Sequence, residues 1–509
     1  MGAMSSLLAK DRIVAPPGFN RWLVPPAALA IHLSIGMAYG FSVFWLPLSR
    51  AIGVSAPTAA DWKISTLGWM YTLFFVMLGS SAALFGSWVE REGPRKAAVV
   101  AACCWGGGFF VSALGIHLHQ ISLLWLGSGV IGGCGLGLGY ISPVSTLIKW
   151  FPDRRGMATG LAIMGFGGGA MIGTPLADML MRRFSTPTSV GVWQTFVVLG
   201  AIYFTAMMAG AFGYRLPPPG WAPAGWTPPH DARSTSPASA LRAVAPDVAW
   251  RTKQFWLLWA VLCLNVSAGI GVLGMASPMI QEIFKGRVTA SAAAGFAGLL
   301  SLFNIGGRIF WASLSDRIGR RHTYSVFFGL GMLLYALVPT AGATGQLALF
   351  VALFSVILTM YGGGFATIPA YIADLFGVGY VSAIHGRLLT AWSTAGILGP
   401  VLINYVREFQ IGRGVAPADA YTFTMYALAL FLVVGLGCNL AIRPVPERLF
   451  AVPATTGRAP REPVPDTSPA PAHRPAGQWA AVGAAWMLAA APLAWGVLKT
   501  LTMASQMFR

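Results

Sequence analysis

Long apolar stretches restrict the fold of this chain more than any other feature. Thirteen of them follow one another between clusters of charged residues, proline and glycine. About 20 apolar residues in a helix cover the hydrocarbon core of a bilayer. Strands of membrane barrels alternate over about ten residues, so these long uniform stretches predict helices. The predicted spans are 22–48, 64–89, 97–118, 121–148, 156–177, 192–214, 255–280, 292–314, 323–341, 346–372, 387–406, 421–442 and 479–501.

The composition agrees with a membrane protein. Only 10% of the 509 residues are charged and the mean hydropathy is +0.65, whereas soluble proteins are about 25% charged. The net charge of +18 does not indicate a nucleic-acid partner, because the basic residues follow the membrane topology. A cytoplasmic N-terminus puts 23 of the 34 Lys and Arg residues in inside loops and 8 in outside loops. This asymmetry predicts that orientation, in the inner cell membrane.

One basic residue, Arg308, falls deep inside a predicted span, whereas the other 33 Lys and Arg residues and all 16 acids are placed in loops or near helix ends. It lies eight residues before Asp316, about 12 Å inside the bilayer, where an unpaired charge costs at least about 2.5 to 3.5 kcal/mol. An anionic substrate would supply the missing partner. Alternatively, Arg308 binds backbone carbonyls or water and only holds helices together. Asn304 lies one turn earlier on the same face, so the pair predicts a carboxylate site.

The chain also repeats itself. The loop at 86–96 recurs in form at 312–321 with Glu90 aligned to Asp316, and 139–151 resembles 364–376. Such spacing predicts two parallel six-helix halves joined by a Pro-rich polar linker. The predicted division is 1–215 and 254–442 for the halves, 216–253 and 443–476 for linkers, and 477–509 for an extra C-terminal transmembrane helix.

The repeated loop contains an acid, an Arg, and then a Gly followed by basic residues. A chain that carries this loop in both halves resembles the major facilitator superfamily. The resemblance implies an all-α integral membrane fold of two six-helix bundles. It also implies that the loops latch the halves in one gating state, although they also look like ordinary topology signals. Glu90 replaces the commoner Asp. The implied gating residues are Glu90, Arg91, Arg95, Asp316, Arg317 and Arg320.

Four further motifs resemble the oxalate/formate antiporter branch of that superfamily. They are Tyr39-Gly40-Phe41-Ser42-Val43-Phe44, Gly139-Tyr140-Ile141-Ser142-Pro143, Asn304-Ile305-Gly306-Gly307-Arg308 and Gly386-Arg387-Leu388-Leu389-Thr390-Ala391-Trp392. The resemblance implies a transporter in which Arg308 clamps the substrate carboxylate. Aromatic residues would close over the bound anion, and by motif position these are Tyr39, Tyr140, Tyr361 and Phe365.

At one position the chain departs from the oxalate transporters. They carry a second cation, a Lys, where this chain has Trp392. A buried dicarboxylate needs two positive partners, so we expect a monocarboxylate such as lactate, pyruvate or formate. Trp392 would offer an apolar wall and an indole N–H, or it only packs between helices. A dicarboxylate exchanger and a non-transporting carboxylate sensor are the alternatives.

The sequence leaves the coupling open between anion exchange and proton symport. His32 and His385 are the candidate proton carriers, although His32 also fits a structural histidine and His385 a group in interfacial water. Clusters of His, Cys and carboxylates of the kind that enzymes and metal sites need are absent from the sequence pattern, so we expect no enzyme, metal or cofactor. We expect a monomer whose partners are membrane lipids and a small organic anion.

The thirteenth span is unusual for the superfamily. Residues 479–508 resemble a single-span small subunit found beside some transporters of this branch, here fused to the chain. Small residues, among them Gly483, Ala484, Ala490 and Ala494, fit helix docking, and Pro492 would kink the helix. A plain tail anchor is the alternative.

Overall fold

A computed structural model describes residues 7–218, 221–223, 243–377, 380–451 and 476–508. Thirteen long helices account for most of these residues. The six of the N-terminal half are α1 (Arg21–Leu48), α2 (Ile64–Glu92), α3 (Pro94–His117), α4 (Ile121–Leu124, Trp125–Gly132 and Gly133–Trp150), α5 (Arg155–Phe184) and α6 (Val192–Gly213). The remainder are α7 (Lys253–Ile283), α8 (Ala290–Ile318), α9 (Arg320–Ala343), α10 (Leu347–Phe376), α11 (Val381–Leu388 and Thr390–Gly412), α12 (Thr422–Ala441) and α13 (Ala476–Ser505).

Each predicted span corresponds to one of these helices. Within the described residues, twelve are long and apolar enough to cross a membrane by length and composition; α5 is a further helix of 30 residues between α1 and α8. Most of the two predicted linkers, 216–253 and 443–476, lies outside the described residues.

The end of α5 differs from the prediction. This helix runs to Phe184 instead of ending near residue 177, so Asp178 lies inside it and not in a loop or at its last turn. Asp178 is 7% exposed and accepts a hydrogen bond from Ser291 of α8 at 2.6 Å. It also pairs with Arg182 one turn further on, at 3.0 Å. These partners offset the free-energy cost of burying the carboxylate. The apolar pattern of the sequence does not reveal them.

Close packing of glycines shapes α1. Its middle, Gly36–Phe44, is a 3₁₀ helix, and Gly36 lies directly against Gly169 of α5. A Cβ added at Gly36 would overlap the carbonyl of Phe166 and lie 2.8 Å from the Cα of Gly169. This contact sets the depth and rotation of the segment that carries Tyr39.

The two halves are joined directly on one side of the molecule. We call the side where α1 begins the near face and the side where it ends, at Leu48, the far face. Towards the far face, the Trp45 indole of α1 donates to the Gly274 carbonyl of α7 at 2.5 Å. The Trp69 indole of α2 donates to the Tyr405 hydroxyl of α11 at 2.7 Å. The far face is therefore closed in this conformation.

Gly307 should contribute to the stability of the C-terminal half. A Cβ at this position would overlap the Thr359 backbone of α10, whereas no atom of the described residues lies within 4 Å of a Cβ at the adjacent Gly306. We expect Gly307→Ala to lower stability by about 1–3 kcal/mol, as overpacking does, and Gly306→Ala to leave it unchanged or slightly raised. Thermal unfolding of both variants in nanodiscs measures this. Equal stability of the two variants would show that α8 and α10 are not held this closely.

Candidate functional site

Arg308 lies in α8 at the centre of the site and is 3% exposed. Its Nε donates to Asn304 Oδ1 at 2.9 Å, one turn earlier on the helix. The two terminal nitrogens, Nη1 and Nη2, and Asn304 Nδ2 are buried and have no hydrogen-bond partner of acceptable geometry among the described residues. The ion pairs seen in the described part of the chain all involve other basic residues. Hydrogen-bond donors of Arg308 and Asn304 are therefore unused on this face of α8.

Glycines on two neighbouring helices make room for these side chains. A Cβ at Gly167 of α5 would lie 3.0 Å from Arg308 Nε and 3.2 Å from Asn304 Oδ1. A Cβ at Gly362 of α10 would lie 2.7 Å from Asn304 Oδ1. Helix α5 belongs to the first half and α10 to the second, so the site lies on the boundary between the halves.

Tyrosines and a phenylalanine surround the guanidinium. The Tyr361 hydroxyl donates to the Tyr39 hydroxyl at 3.0 Å, linking α10 to α1 across the boundary. The guanidinium carbon of Arg308 lies 5.5 Å from the centre of the Phe365 ring, within the range of a cation–π contact. Arg308 is also close enough to interact electrostatically with the hydroxyls of Tyr39, Tyr140 and Tyr361.

Trp392 also packs against Phe365. Its ring centre lies 4.4 Å from that of Phe365 and 5.4 Å from that of Tyr140. The indole is fully buried, and its N–H has no hydrogen-bond partner among the described residues. The structure thus brings together all seven residues predicted to bind substrate: Arg308, Asn304, Tyr39, Tyr140, Tyr361, Phe365 and Trp392.

Phe166 of α5 belongs to the site but was not predicted. Its ring lies 4.9 Å from Tyr39, 5.5 Å from Tyr140 and 5.6 Å from Trp392. A sequence signal existed, because Phe166 is the one large side chain in the run from Gly165 to Gly169.

Helix α2 adds two more aromatic residues that the sequence did not single out. Phe75 lies 5.9 Å from Trp392 and 6.3 Å from Tyr39. Tyr71 packs against Phe75 at 5.0 Å, and its buried hydroxyl has no hydrogen-bond partner in the described part of the chain. Neither residue belongs to a motif, and only the rotation of α2 shows that they face the site.

The chemistry of the site suits an anion. The N–H donors of Arg308, Asn304 and Trp392 are buried without partners in this site, where the described residues supply one positive charge and no acid. Aromatic rings exclude water from it, which strengthens charge–charge interactions. Among the described residues, no group of three or more His, Cys, Asp or Glu side chains is placed to hold a metal ion.

The two histidines proposed as proton carriers lie in different places. His32 is fully buried in α1, its Nε2 is 3.1 Å from the Tyr140 carbonyl, and its ring stacks on Tyr140 at 5.6 Å. It therefore adjoins the aromatic site. His385 lies near the near-face end of α11, where its Nε2 is buried without a hydrogen-bond partner among the described residues. The structure does not bring His385 to Arg308.

The first repeated loop makes contacts within its own half. Arg95 is 6% exposed and donates to the carbonyls of Leu7, Phe212 and Tyr214 at 3.0 to 3.2 Å. It therefore fastens the segment before α1 to the end of α6. Arg91 is exposed, and the side chain of Glu90 lies outside the described part of the structure.

The second loop ties three helices of its half together. Arg320 of α9 pairs with Asp316 of α8 and lies 3.7 Å from Asp374 of α10. Arg317 is exposed. The described contacts of Asp316 and Arg320 lie within the second half, so a latch between the halves stays a prediction.

Comparisons with known proteins give the family. A model described as Major Facilitator Superfamily matches residues 18–400. The chain is 27% identical over 442 residues to the oxalate:formate antiporter of Oxalobacter formigenes, covering 85% of this chain and 95% of that protein. It is 26% identical over 404 residues to monocarboxylate transporter 11 of Homo sapiens, covering 77% of this chain and 78% of that protein.

A solved structure has the same fold. It is the crystal structure of a bacterial homolog of the human lysosomal transporter Spinster, in an inward-facing and unoccupied conformation. Its TM-score is 0.62 at 15% identity, covering 84% of this chain and 97% of that one. The family match spans more than half of the chain, and the fold has two six-helix halves around a central site. The chain is therefore a membrane transporter that belongs to the Major Facilitator Superfamily.

Proposed function

We propose that the protein is a secondary transporter of small monocarboxylate anions, such as lactate, pyruvate or formate, which works by alternating access. The buried guanidinium of Arg308 carries this proposal, because Nη1 and Nη2 are available to a carboxylate. Two parallel N–H groups match the two oxygens of one carboxylate. The position of Arg308 between the halves fits a site that opens to each face in turn.

A single cation favours one carboxylate over two. Trp392 stands in the aromatic wall where a second cation would be needed, and it offers one neutral N–H. A second buried carboxylate would face the rings of Tyr140, Phe166 and Trp392 without a positive partner, which costs several kcal/mol. The uncharged end of a monocarboxylate is suited to this wall.

Dicarboxylate exchange is the second candidate. It is favoured by the similarity to the oxalate:formate antiporter over 95% of that protein's length. Against it stands the lack of a second cation among the described residues around Phe365. The similarity to a monocarboxylate transporter, at nearly the same identity, supports the first candidate.

Two modes of coupling fit the site. Exchange of one anion for another needs no titrating group. Proton symport would take its proton on the substrate or on His32, which stacks on Tyr140 of the site. We also propose that the near face is cytoplasmic, in the inner cell membrane, because most basic residues flank the spans on that side.

Uptake by proteoliposomes tests the proposal. We expect labelled lactate, pyruvate or formate to accumulate at least ten times faster than oxalate. The assay is run with and without an imposed pH gradient and with and without unlabelled anion inside. Stimulation by internal anion indicates exchange, and stimulation by an inward proton gradient indicates symport. Binding without uptake under every condition would identify a sensor, and preferred uptake of oxalate would identify the dicarboxylate exchanger.

A further inference from the structure

Helix α13 contacts the first half of the transporter at two levels. Near its beginning, the Trp486 indole donates to the Trp22 carbonyl at the start of α1, at 3.1 Å. Near its end, the Thr500 hydroxyl donates to the Met171 carbonyl of α5 at 2.9 Å. The helix therefore crosses the molecule from the near face to the far face.

The end of α13 also packs on the second half. A Cβ at Gly298 of α8 would lie 2.5 Å from Thr500 Oγ1, and a Cβ at Gly295 would overlap the backbone of Ala504. Met503 and Ala504 are 8% and 4% exposed. Thr500 thus donates its hydroxyl to α5, and its side chain packs against Gly298 of α8. One residue therefore contacts both halves.

This contact lies on the seam that closes the far face. Directly beside it, the Thr174 hydroxyl of α5 donates to the Ala294 carbonyl of α8 at 2.9 Å. Asp178 and Ser291 join the same two helices at 2.6 Å. Beside the seam lies a cavity of about 40 Å³ between the halves, with Asp178 and Ser277 in its wall. Opening the far face must separate α5 from α8 here.

The docking is confined to one side of α13. Met487, Leu488 and Leu498 are 67 to 77% exposed, and a Cβ at Gly483 would meet none of the described atoms within 4 Å. On the docked side, a Cβ at Gly496 would lie 2.8 Å from Ile172 Cγ1 and 3.1 Å from the Met171 carbonyl. Between helices in lipid, close packing of small residues and a hydrogen bond are the main attractive contributions. A plain tail anchor requires neither.

We propose that the seam between α5 and α8 is a docking surface for a single-span helix, that α13 of the same chain is its resident occupant, and that docking holds the far face closed. Because Thr500 and its neighbours bridge both halves, the far face opens only when α13 releases one of them. Weaker docking therefore shifts the population towards the open far face.

The test measures access to the cavity beside the seam. Ser277 is 3% exposed, and Ser277→Cys places a thiol in the cavity wall. The full chain in nanodiscs is treated with a bulky hydrophilic maleimide, and labelling of the same chain without Ser277→Cys is subtracted to remove the native cysteines. We expect Gly496→Leu to speed labelling of the introduced thiol at least threefold, because the leucine cannot fit against α5. Gly483→Leu, on the open side of the same helix, should leave the rate unchanged.

A pair of milder substitutions controls for misfolding. Thr500→Val keeps the side-chain volume and removes the hydrogen bond to Met171. Thr502→Val alters an exposed threonine whose hydroxyl donates to Leu498 of its own helix. Faster labelling in Thr500→Val but not in Thr502→Val is the expected result. Equal rates in both members of each folded pair would overturn the proposal in favour of a plain anchor. The assay needs no substrate, so its result does not depend on the monocarboxylate assignment.

Discussion

Arg308→Ala is expected to abolish carboxylate uptake. The change removes the cation that the described part of the site contains, and it leaves Asn304 without its partner. Losing one member of a buried charge pair costs about 3–5 kcal/mol, which corresponds to a fall of at least about 100-fold in affinity. Uptake of labelled lactate or pyruvate at limiting concentration measures this, normalised to the amount of reconstituted protein.

Arg308→Lys distinguishes the effect of the positive charge from the effect of the guanidinium geometry. A lysine keeps the positive charge but cannot offer two parallel N–H groups or replace the Nε–H bond to Asn304, so we expect it to lose most of the uptake. Arg413→Ala, at an exposed arginine after α11, is the control and should transport like the parent chain. Parental uptake by Arg308→Ala would refute the assignment of the site.

Trp392→Lys is expected to shift the substrate preference of the site towards dicarboxylates. The lysine would enter the aromatic wall beside Phe365 and supply the second charge that oxalate needs. We expect oxalate uptake to rise at least tenfold over the parent chain and lactate uptake to fall. The fall follows because an unpaired ammonium is costly in a site closed to water.

Trp392→Met is the matched control for this change. It also removes the indole but adds no charge, so it should lose some monocarboxylate uptake without gaining oxalate. Competition by a series of mono- and dicarboxylates against labelled substrate compares the two variants. If methionine and lysine change the preference in the same way, Trp392 does not select by charge and serves only as packing.

The fold could be largely predicted from the sequence because membrane spans are set by length and apolar character. The internal repeat of the loops at Glu90 and Asp316 placed the spans in two halves. The end of α5 could not be predicted in this way. Asp178 looks like a loop residue by hydropathy, and only its contact with Ser291 of a distant helix explains why it is buried.

The site was predictable to the extent that its residues are unusual for their depth or belong to a motif. Arg308 is unusual because charge at that depth is rare, and Tyr39, Tyr140 and Phe365 came from motif resemblance. Phe166 and Phe75 could not be found in this way, because an aromatic residue in an apolar span is ordinary. Their place in the site depends on the rotation of α5 and α2, and the contact between Gly36 and Gly169 sets that rotation for α5.

The unpaired charge of Arg308 has an electrical consequence. With a monoanion bound, the moving site is neutral, so its passage through the membrane is insensitive to voltage. Without an anion, the same movement carries one positive charge, worth at most about 2.3 kcal/mol for each 100 mV of membrane potential. The membrane voltage therefore acts on the return of the empty carrier, and exchange of one anion for another avoids that step entirely.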